Sequence, residues 1–251
     1  MVQILLHGAC GRMGRMIADI ASEYPDVKIA AGVDAFGTAY ADFPVYKSLS
    51  EVQEECSVIV DFSTAAAMDD LFAYAETKKI PAVVCTTGLS EEQMDKLKKL
   101  SEKTAVLKSA NMSLGVNLLQ SVLEEVSGKL LAAGFDCDIV EMHHRKKIDA
   151  PSGTALALAD SVKKGADKDL SYVFDRSERR MQRPADEIGI SAVRGGTIVG
   201  DHEVIFAGAD EVITFRHEAF SRAVFAKGAV EAARFLAGKG PGYYGMRDVL
   251  A

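Results

Sequence analysis

The chain has 251 residues, of which 48% are hydrophobic and 26% charged, enough for a folded core in one or two domains. Its 29 Lys and Arg against 36 Asp and Glu give a formal net charge of -7, which argues against a nucleic-acid partner. No apolar run approaches the roughly 18 residues of a membrane-spanning helix, and no basic signal-peptide start precedes the first apolar run. We therefore expect a soluble, cytoplasmic protein without a membrane partner.

Apolar runs alternate with amphipathic stretches in the first part of the chain. The pattern predicts helices at residues 12–23, 64–79 and 91–102, and strands at residues 2–6, 27–33, 58–60, 82–84 and 105–107. Strands that alternate with helices favour right-handed crossovers and a parallel sheet covered on both faces. We therefore predict a Rossmann-type, doubly wound α/β domain.

The alternation ends after Ser109, where residues 114–132 form one long amphipathic pattern that Gly134 would stop. Beyond it we predict helices at residues 152–163 and 221–237, strands at residues 138–142, 190–193, 204–207 and 212–215, and a turn-rich tail at residues 238–251. Short glycine-bearing turns separate the last strands, which favours an open, partly antiparallel sheet. A smaller α+β domain with an open mixed sheet is therefore expected from about residue 114.

A glycine-rich loop follows the first predicted strand and opens the first helix. It reads Gly8-Ala9-Cys10-Gly11-Arg12-Met13-Gly14, and Asp34 ends the second strand at about the distance expected for an acid that binds the adenosine ribose. Backbone N–H groups of such a loop can hold a pyrophosphate. Cys10 replaces the usual middle glycine, and a tight turn with Asp34 as a strand-end turn residue is the alternative.

The residue after Asp34 is Ala35 rather than Arg, so a 2′-phosphate would meet a carboxylate without an adjacent partner. This favours NADH, although Arg12 leaves NADPH open. Two further segments end predicted strands at the edge where open α/β sheets bind ligands, and each has a capping or turn role as its alternative. They are Cys85-Thr86-Thr87-Gly88 and Ser109-Ala110-Asn111-Met112.

The segment from Glu141 to Thr154 concentrates proton-exchanging and cationic groups. Residues 143–147 hold two of the five histidines and three cations of this acidic chain, a field suited to an anionic substrate. Ser152, Gly153 and Thr154 then open a helix whose N-terminus can bind a carboxylate or phosphate. The alternative is a solvated basic loop before an ordinary helix cap. No third ligand accompanies His143 and His144 at metal-site spacing, and the cysteines form no CxxC pair, so we expect no metal.

The stretch E-M-H-H-R-K-K-I-D-A-P-S-G-T-A resembles the signature of the 4-hydroxy-tetrahydrodipicolinate reductases, also called the dihydrodipicolinate reductase family. G-A-C-G-R-M-G and C-T-T-G are similar to that family's cofactor loops, N-M-S-L-G-V-N to its interdomain segment and M-R-D-V-L to its C-terminus. The resemblance runs from end to end. It implies reduction of a cyclic dicarboxylate with NADH or NADPH, with loss of water, on the diaminopimelate route to lysine.

The resemblance also implies the roles of individual residues. His143 would be a proton donor or acceptor and Lys147 a proton donor, while His144, Gly153 and Thr154 would bind a substrate carboxylate. The implied cofactor-binding residues are Gly8, Ala9, Cys10, Gly11, Arg12, Met13, Asp34, Cys85, Thr86, Thr87, Ser109, Ala110, Asn111 and Met112. Residues 1–113 would bind the dinucleotide, with residues 222–251 returning to that domain. Residues 114–221 would bind substrate and join a homotetramer.

Two other functions are compatible with a dinucleotide-binding chain. One is another two-domain nicotinamide oxidoreductase, such as an amino-acid or sugar dehydrogenase, which would not require the block from His143 to Lys147. The other is a non-catalytic dinucleotide sensor, which usually carries a nucleic-acid or partner-binding module. No basic helix or added domain of that kind is visible in the sequence.

Overall fold

The structure is a computed structural model that describes residues 1–166, 168–177 and 179–251. These residues divide into two compact units, the first made of Met1–Leu114 with Ala223–Ala251 and the second of Gly115–Arg222. The strands of the described residues are β1 Val2–His7, β2 Val27–Val33, β3 Val45–Tyr46, β4 Val58–Asp61, β5 Ala82–Val84, β6 Ala105–Lys108, β7 Asp136–His143, β8 Ser171–Val173, β9 Glu187–Arg194, β10 Gly200–Ala207, β11 Val212–Ala219 and β12 Gly242–Tyr244. The α-helices are α1 Arg12–Ala21, α2 Met68–Lys78, α3 Glu91–Ser101, α4 Leu114–Ala132, α5 Gly153–Ala166, α6 Ala223–Leu236 and α7 Met246–Leu250.

The first unit is built on a seven-stranded parallel sheet in the order β12-β6-β5-β4-β1-β2-β3. Continuous apolar runs such as Val58–Val60 are fully buried because helices cover both faces. Residues of α1 and α6 contribute to one buried cluster, and residues of α2 and α3 to the other. This is the predicted Rossmann-type arrangement, and the strand order reverses between β1 and β4, where such folds bind nucleotides.

The second unit contains a mixed sheet in the order β11-β10-β7-β9-β8. Strand β10 is antiparallel to both neighbours, whereas β7, β9 and β8 are parallel to one another. Leu123 of α4 and Leu158 of α5 pack against this sheet in one buried cluster with Ile139. The predicted α+β class with an open mixed sheet is therefore correct.

Side chains of β7 alternate between the two faces of this sheet. Cys137, Ile139, Glu141 and His143 are buried, whereas the residues between them are partly exposed. Strand β10 alternates in the same way and buries His202 beside Val204 on the helix-covered face. Strand periodicity thus brings an acid and two histidines to one buried layer.

Candidate active site

The glycine loop of the first unit forms a tight cradle between β1 and α1. Gly8 has φ +79°, and a Cβ on Gly14 would lie 2.3 Å from the carbonyl oxygen of Gly8. Side chains are therefore excluded from both positions by backbone conformation and space. A dinucleotide pyrophosphate needs this close backbone approach at a helix N-terminus, so the loop fits such a ligand.

Asp34 lies directly against this loop. Its carboxylate accepts hydrogen bonds from the N–H groups of Cys10 at 3.0 Å, Phe36 at 3.1 Å and Gly37 at 2.9 Å. The Cys10 Sγ donates to the carbonyl oxygen of Thr38 at 3.4 Å. The structure thus brings Asp34 and Cys10 together, and Asp34 also orders the turn that follows β2.

A cavity of ≈ 350 Å³ lies at this edge of the sheet, lined by residues that include Gly8, Gly11, Asp34, Phe36 and Lys47. Lys47 Nζ donates to the carbonyl oxygen of Gly37 at 2.5 Å. Lys47 follows the two-residue strand β3, which is too short to show a strand period. Sequence reasoning consequently missed this cation beside Asp34.

The remaining residues of the predicted glycine loop have different environments. Ala9 is fully buried, and its carbonyl oxygen accepts from Tyr40 at 2.9 Å. Arg12 is exposed at the first position of α1, whereas Met13 is half-buried against the core. Arg15 donates from Nε to the Cys10 carbonyl oxygen at 3.2 Å and stacks on Tyr40.

Asp61 organises the adjacent strand ends. It is fully buried and accepts from His7 Nδ1 at 2.9 Å, from Ser63 Oγ at 2.6 Å and from the Thr86 N–H at 3.4 Å. Burial opposes ionisation of Asp61, but the contact with His7 and these hydrogen bonds outweigh it and lower its pKa. Sequence reasoning missed Asp61, although an acid at the end of a buried strand is a detectable signal.

The two other predicted cofactor segments end β5 and β6. Cys85 and Thr86 are buried and Thr87 is exposed, and Lys108 Nζ donates to the Thr86 carbonyl oxygen at 2.6 Å. Burial raises the pKa of the Cys85 thiol well above its usual value. In the second segment Ser109 and Asn111 are half-buried, Ala110 is exposed and Met112 is buried. The Asn111 side chain accepts from the Ser113 N–H at 2.8 Å.

The second unit contains a hydrogen-bonded cluster around Glu141. This fully buried carboxylate accepts from His143 Nδ1 at 2.6 Å, from the Ser152 N–H at 2.9 Å and from both terminal nitrogens of Arg194 at 2.7 and 2.6 Å. Ser152 Oγ lies 2.9 Å from His202 Nε2, and the rings of His143 and His202 meet edge to face at 5.1 Å.

The electrostatics of this cluster keep Glu141 ionised and the histidines neutral. Burial opposes ionisation of Glu141, but hydrogen bonds from Arg194, His143 and Ser152 outweigh it and lower its pKa. Burial lowers the pKa of His143 despite its contact with Glu141. Burial, reinforced by repulsion from His143 whenever that ring is protonated, lowers the pKa of His202 to about 4.

Helix α5 begins beside this cluster. Ser152 Oγ accepts from the Ala155 N–H at 3.1 Å, so Ser152 is the N-cap and Gly153 and Thr154 form the first turn. Lys147 Nζ lies 2.9 Å from Asp149 Oδ2, and the backbone N–H of Lys147 donates to the His144 carbonyl oxygen at 3.0 Å. His144 is half-buried.

Sequence reasoning gave no role to Glu141, Arg194 or His202. For Glu141 and His202 the signal is alternation, because each is a polar residue in register with the buried apolar side chains of its strand. Arg194 reaches Glu141 from 53 positions away and carries no local signal.

Among the described residues, no group of three or more His, Cys, Asp or Glu is arranged to bind a metal ion. Within the same residues no helix is both long and apolar enough to cross a membrane.

Family models and relatives match the whole chain. Residues 2–112 match the N-terminal model of dihydrodipicolinate reductase, and residues 115–250 match the C-terminal model. A 4-hydroxy-tetrahydrodipicolinate reductase of Caldanaerobacter subterraneus subsp. tengcongensis is 48% identical over 100% of this chain and 98% of that protein. The chain belongs to the dihydrodipicolinate reductase family. A relative of the same name from Clostridium tetani is 46% identical over 100% of this chain and 97% of its own length.

Membership in the dihydrodipicolinate reductase family makes the chain an oxidoreductase of lysine biosynthesis through diaminopimelate. Residues 2–112, which match the N-terminal model, are the nucleotide-binding Rossmann domain of that family, of the NAD(P)H class. Among solved structures, the dipicolinate-bound dihydrodipicolinate reductase from Paenisporosarcina sp. TG-14 has a TM-score of 0.81 at 22% identity, with 100% of both chains covered.

More distant dehydrogenases share the fold. A probable dehydrogenase from Thermotoga maritima has a TM-score of 0.61 at 12% identity and covers 99% of this chain and 92% of its own. Such likeness shows architecture alone, because one fold serves many reactions. The family match therefore distinguishes this chain from the amino-acid and sugar dehydrogenases.

Proposed function

We propose that the chain reduces 4-hydroxy-tetrahydrodipicolinate to tetrahydrodipicolinate. Residues 143–154 would bind the substrate and carry out the proton transfer that the reduction requires. The observation that carries this proposal is the cluster of Glu141, His143 and Ser152 at the N-terminus of α5, within the segment that resembles the family signature. The Paenisporosarcina relative is described with dipicolinate bound, and that ring dicarboxylate belongs to the proposed substrate class.

The substrate carboxylate would bind at the start of α5. First-turn N–H groups of a helix point towards its N-terminus, where the helix dipole also favours an anion. Gly153 and Thr154 occupy that turn, and a Cβ on Gly153 would meet no atom within 4 Å, so space is available there. His144, which is half-buried, adds a polar side chain to the same segment.

Lys147 is the proposed proton donor and His143 its partner in proton exchange. The Lys147 ammonium has three N–H donors, of which one is directed to Asp149. His143 donates Nδ1–H to Glu141, so its neutral ring carries the free lone pair on Nε2. His143 is therefore set to accept a proton at neutral pH, and Lys147 to deliver one.

The cofactor would be held by the predicted residues of the first unit, from the glycine loop and Asp34 to the ends of β5 and β6. When bound, NAD(P)H supplies the hydride. Asp34 favours NADH, since a 2′-phosphate would approach a carboxylate. Lys47 is a cation on the same cavity, and it would give a 2′-phosphate a partner, so NADPH should bind more weakly rather than fail to bind.

The cofactor preference can be tested without turnover. We expect direct titration to give a lower Kd for NADH than for NADPH, and Lys47→Met to weaken NADPH binding selectively. Lys28→Met, which removes an exposed lysine of β2, is the matched control and should change neither Kd. Tighter binding of NADPH than of NADH by the wild type would contradict the assignment to Asp34.

The second unit would also assemble the homotetramer. The face of its sheet away from α4 and α5 exposes apolar side chains in full or in part, namely Val140, Met142, Val193, Ile205 and Val212. Exposed apolar patches of this kind favour association. We accordingly assign residues 114–221 to substrate binding and assembly and residues 1–113 with 222–251 to the dinucleotide, in a cytoplasmic enzyme.

The proposed reaction is tested by generating the substrate in place from pyruvate and aspartate semialdehyde with the preceding synthase. NADH and NADPH oxidation are then followed separately. Rapid oxidation that depends on the synthase would support the reductase. Binding of NADH without oxidation would overturn the substrate assignment and favour a dinucleotide sensor, whereas oxidation with amino acids or sugars would favour another dehydrogenase.

A further inference from the structure

We propose that Glu141 and Arg194 act together as positioning residues, which fix the ring of His143 in one tautomer and tie it to the segment carrying Lys147. The inference rests on the proposed role of His143. Glu141 is fully buried and Arg194 is largely covered, so neither side chain is exposed enough to bind a ligand directly.

Glu141 and His143 are two positions apart on β7 and therefore project to the same face. The 2.6 Å contact joins Glu141 Oε2 to His143 Nδ1. A carboxylate only accepts, so Nδ1 carries the proton and Nε2 is left as the reactive nitrogen. This carboxylate therefore determines which nitrogen of His143 faces the reaction.

Arg194 fixes the carboxylate in turn. Its two terminal nitrogens bind the two oxygens of Glu141 at 2.7 and 2.6 Å, a bidentate geometry that prevents rotation of the carboxylate. One of these nitrogens also donates to the carbonyl oxygen of Asp149 at 2.6 Å, and the Asp149 side chain pairs with Lys147. Arg194 thus links both proposed proton-transfer residues through one side chain.

The charged and titratable groups around His143 come from three strands and one loop. Burial lowers the pKa of His143, Glu141 on β7 opposes this shift, and Lys147 and Arg194 lower the pKa further. His202 of β10 lies edge to face with the ring. Loss of the Glu141 charge should therefore lower the pKa of His143 further and release the ring from a single tautomer.

The test combines NMR with steady-state kinetics on the full chain. In protein labelled with ¹³C-histidine, Glu141→Gln should shift the titration midpoint of His143 to lower pH and alter its tautomer-sensitive ring signals. The kcat should fall by between about 10- and 10⁴-fold, the range seen when an orienting carboxylate is lost, while the Kd of NADH stays unchanged. Arg194→Lys retains the charge but not the bidentate geometry and should lower kcat less than Glu141→Gln.

The matched control is Glu187→Gln. Glu187 is another largely buried carboxylate of the same sheet, paired with Arg176 and Arg179 and not with His143. Its loss should leave the His143 titration unchanged. A wild-type His143 titration in folded Glu141→Gln protein, or an equal shift in Glu187→Gln, would overturn the proposal. Because the NMR signal needs no substrate, it also separates this outcome from failure of the proposed reaction.

Discussion

His143 Nε2 lies against the backbone of β10 at Gly200. A Cβ at Gly200 would come within 2.9 Å of that nitrogen, closer than side chains tolerate, and the backbone there lies outside the left-handed region. Replacement by Ala should therefore fold but push the imidazole from its position. Displacement of a catalytic group by about 1 Å can cost about 10²-fold in rate.

We accordingly expect Gly200→Ala to lower kcat by about 10²-fold with little change in NADH affinity. Gly195→Ala is the matched control, because a Cβ at that nearby position meets no atom within 4 Å. Steady-state kinetics of both variants measure the effect. Equal activity of the two variants would show that crowding at Nε2 is unimportant.

At the residue scale, composition drew attention to residues 143–147, because a cationic, histidine-rich run is unusual in an acidic chain. The individual roles of His143 and Lys147 are implied by the family resemblance and stay predictions. Glu141 lies just before this run, yet its role depends on Arg194, which approaches only when β9 pairs with β7. The place of Lys47 on the same cavity as Asp34 could not be predicted either, because pairing of the strands in the sheet brings the two residues together.

Two elements meet at His202, where β10 touches the N-cap of α5. Burial, together with repulsion from His143 whenever that ring is protonated, lowers the pKa of His202 from 6.5 to about 4, so the folded protein resists protonation of His202. An unfolded chain binds that proton below pH 6.5. This contribution to stability is therefore complete above pH 6.5 and is lost as the pH falls towards 4.

The difference in unfolding free energy between wild type and His202→Asn should change with pH in consequence. Relative to pH 7.5, the wild type should lose about 2 kcal/mol more than the variant at pH 5.0, because one pKa unit corresponds to about 1.4 kcal/mol. Denaturant unfolding of both proteins at the two pH values measures this. A pH-independent difference would contradict the neutral, buried state of His202.

At the element scale, long amphipathic patterns were predictable and short elements were not. The predicted helix at residues 114–132 coincides with α4, since its apolar period runs through 19 residues. Strands β3, β8 and β12 have two or three residues and lack the wholly apolar run that revealed the equally short β5, so they were missed. The tail predicted as turn-rich in fact contains β12 and α7, because pairing with β6 rather than local propensity orders it.

At the scale of the whole molecule, the open sheet face of the second unit bears on assembly. Val193 is 44% exposed there, opposite Met142 on the neighbouring strand. If this face joins subunits, Val193→Lys should dissociate the tetramer, because burial of an unpaired charge is strongly unfavourable in free energy. Leu118→Lys changes an exposed apolar residue of α4 and serves as the control.

Sedimentation velocity at micromolar concentration measures the assembly. We expect the wild type and Leu118→Lys to sediment as tetramers and Val193→Lys to sediment as a smaller species. Unchanged sedimentation of Val193→Lys would exclude this face from the interface. A monomeric wild type would contradict the proposed homotetramer.

Lys147 and its hydrogen-bonded neighbours are proposed to perform the proton transfer of the reductase. The most direct measurement compares Lys147→Gln with Lys146→Gln in the synthase-coupled assay, because Lys146 is adjacent, cationic and exposed. Loss of one general acid typically costs about 10² to 10⁴ in rate. We predict that loss in kcat for Lys147→Gln alone, with wild-type NADH affinity in both variants. Equal turnover of the two variants would exclude Lys147 as the proton donor.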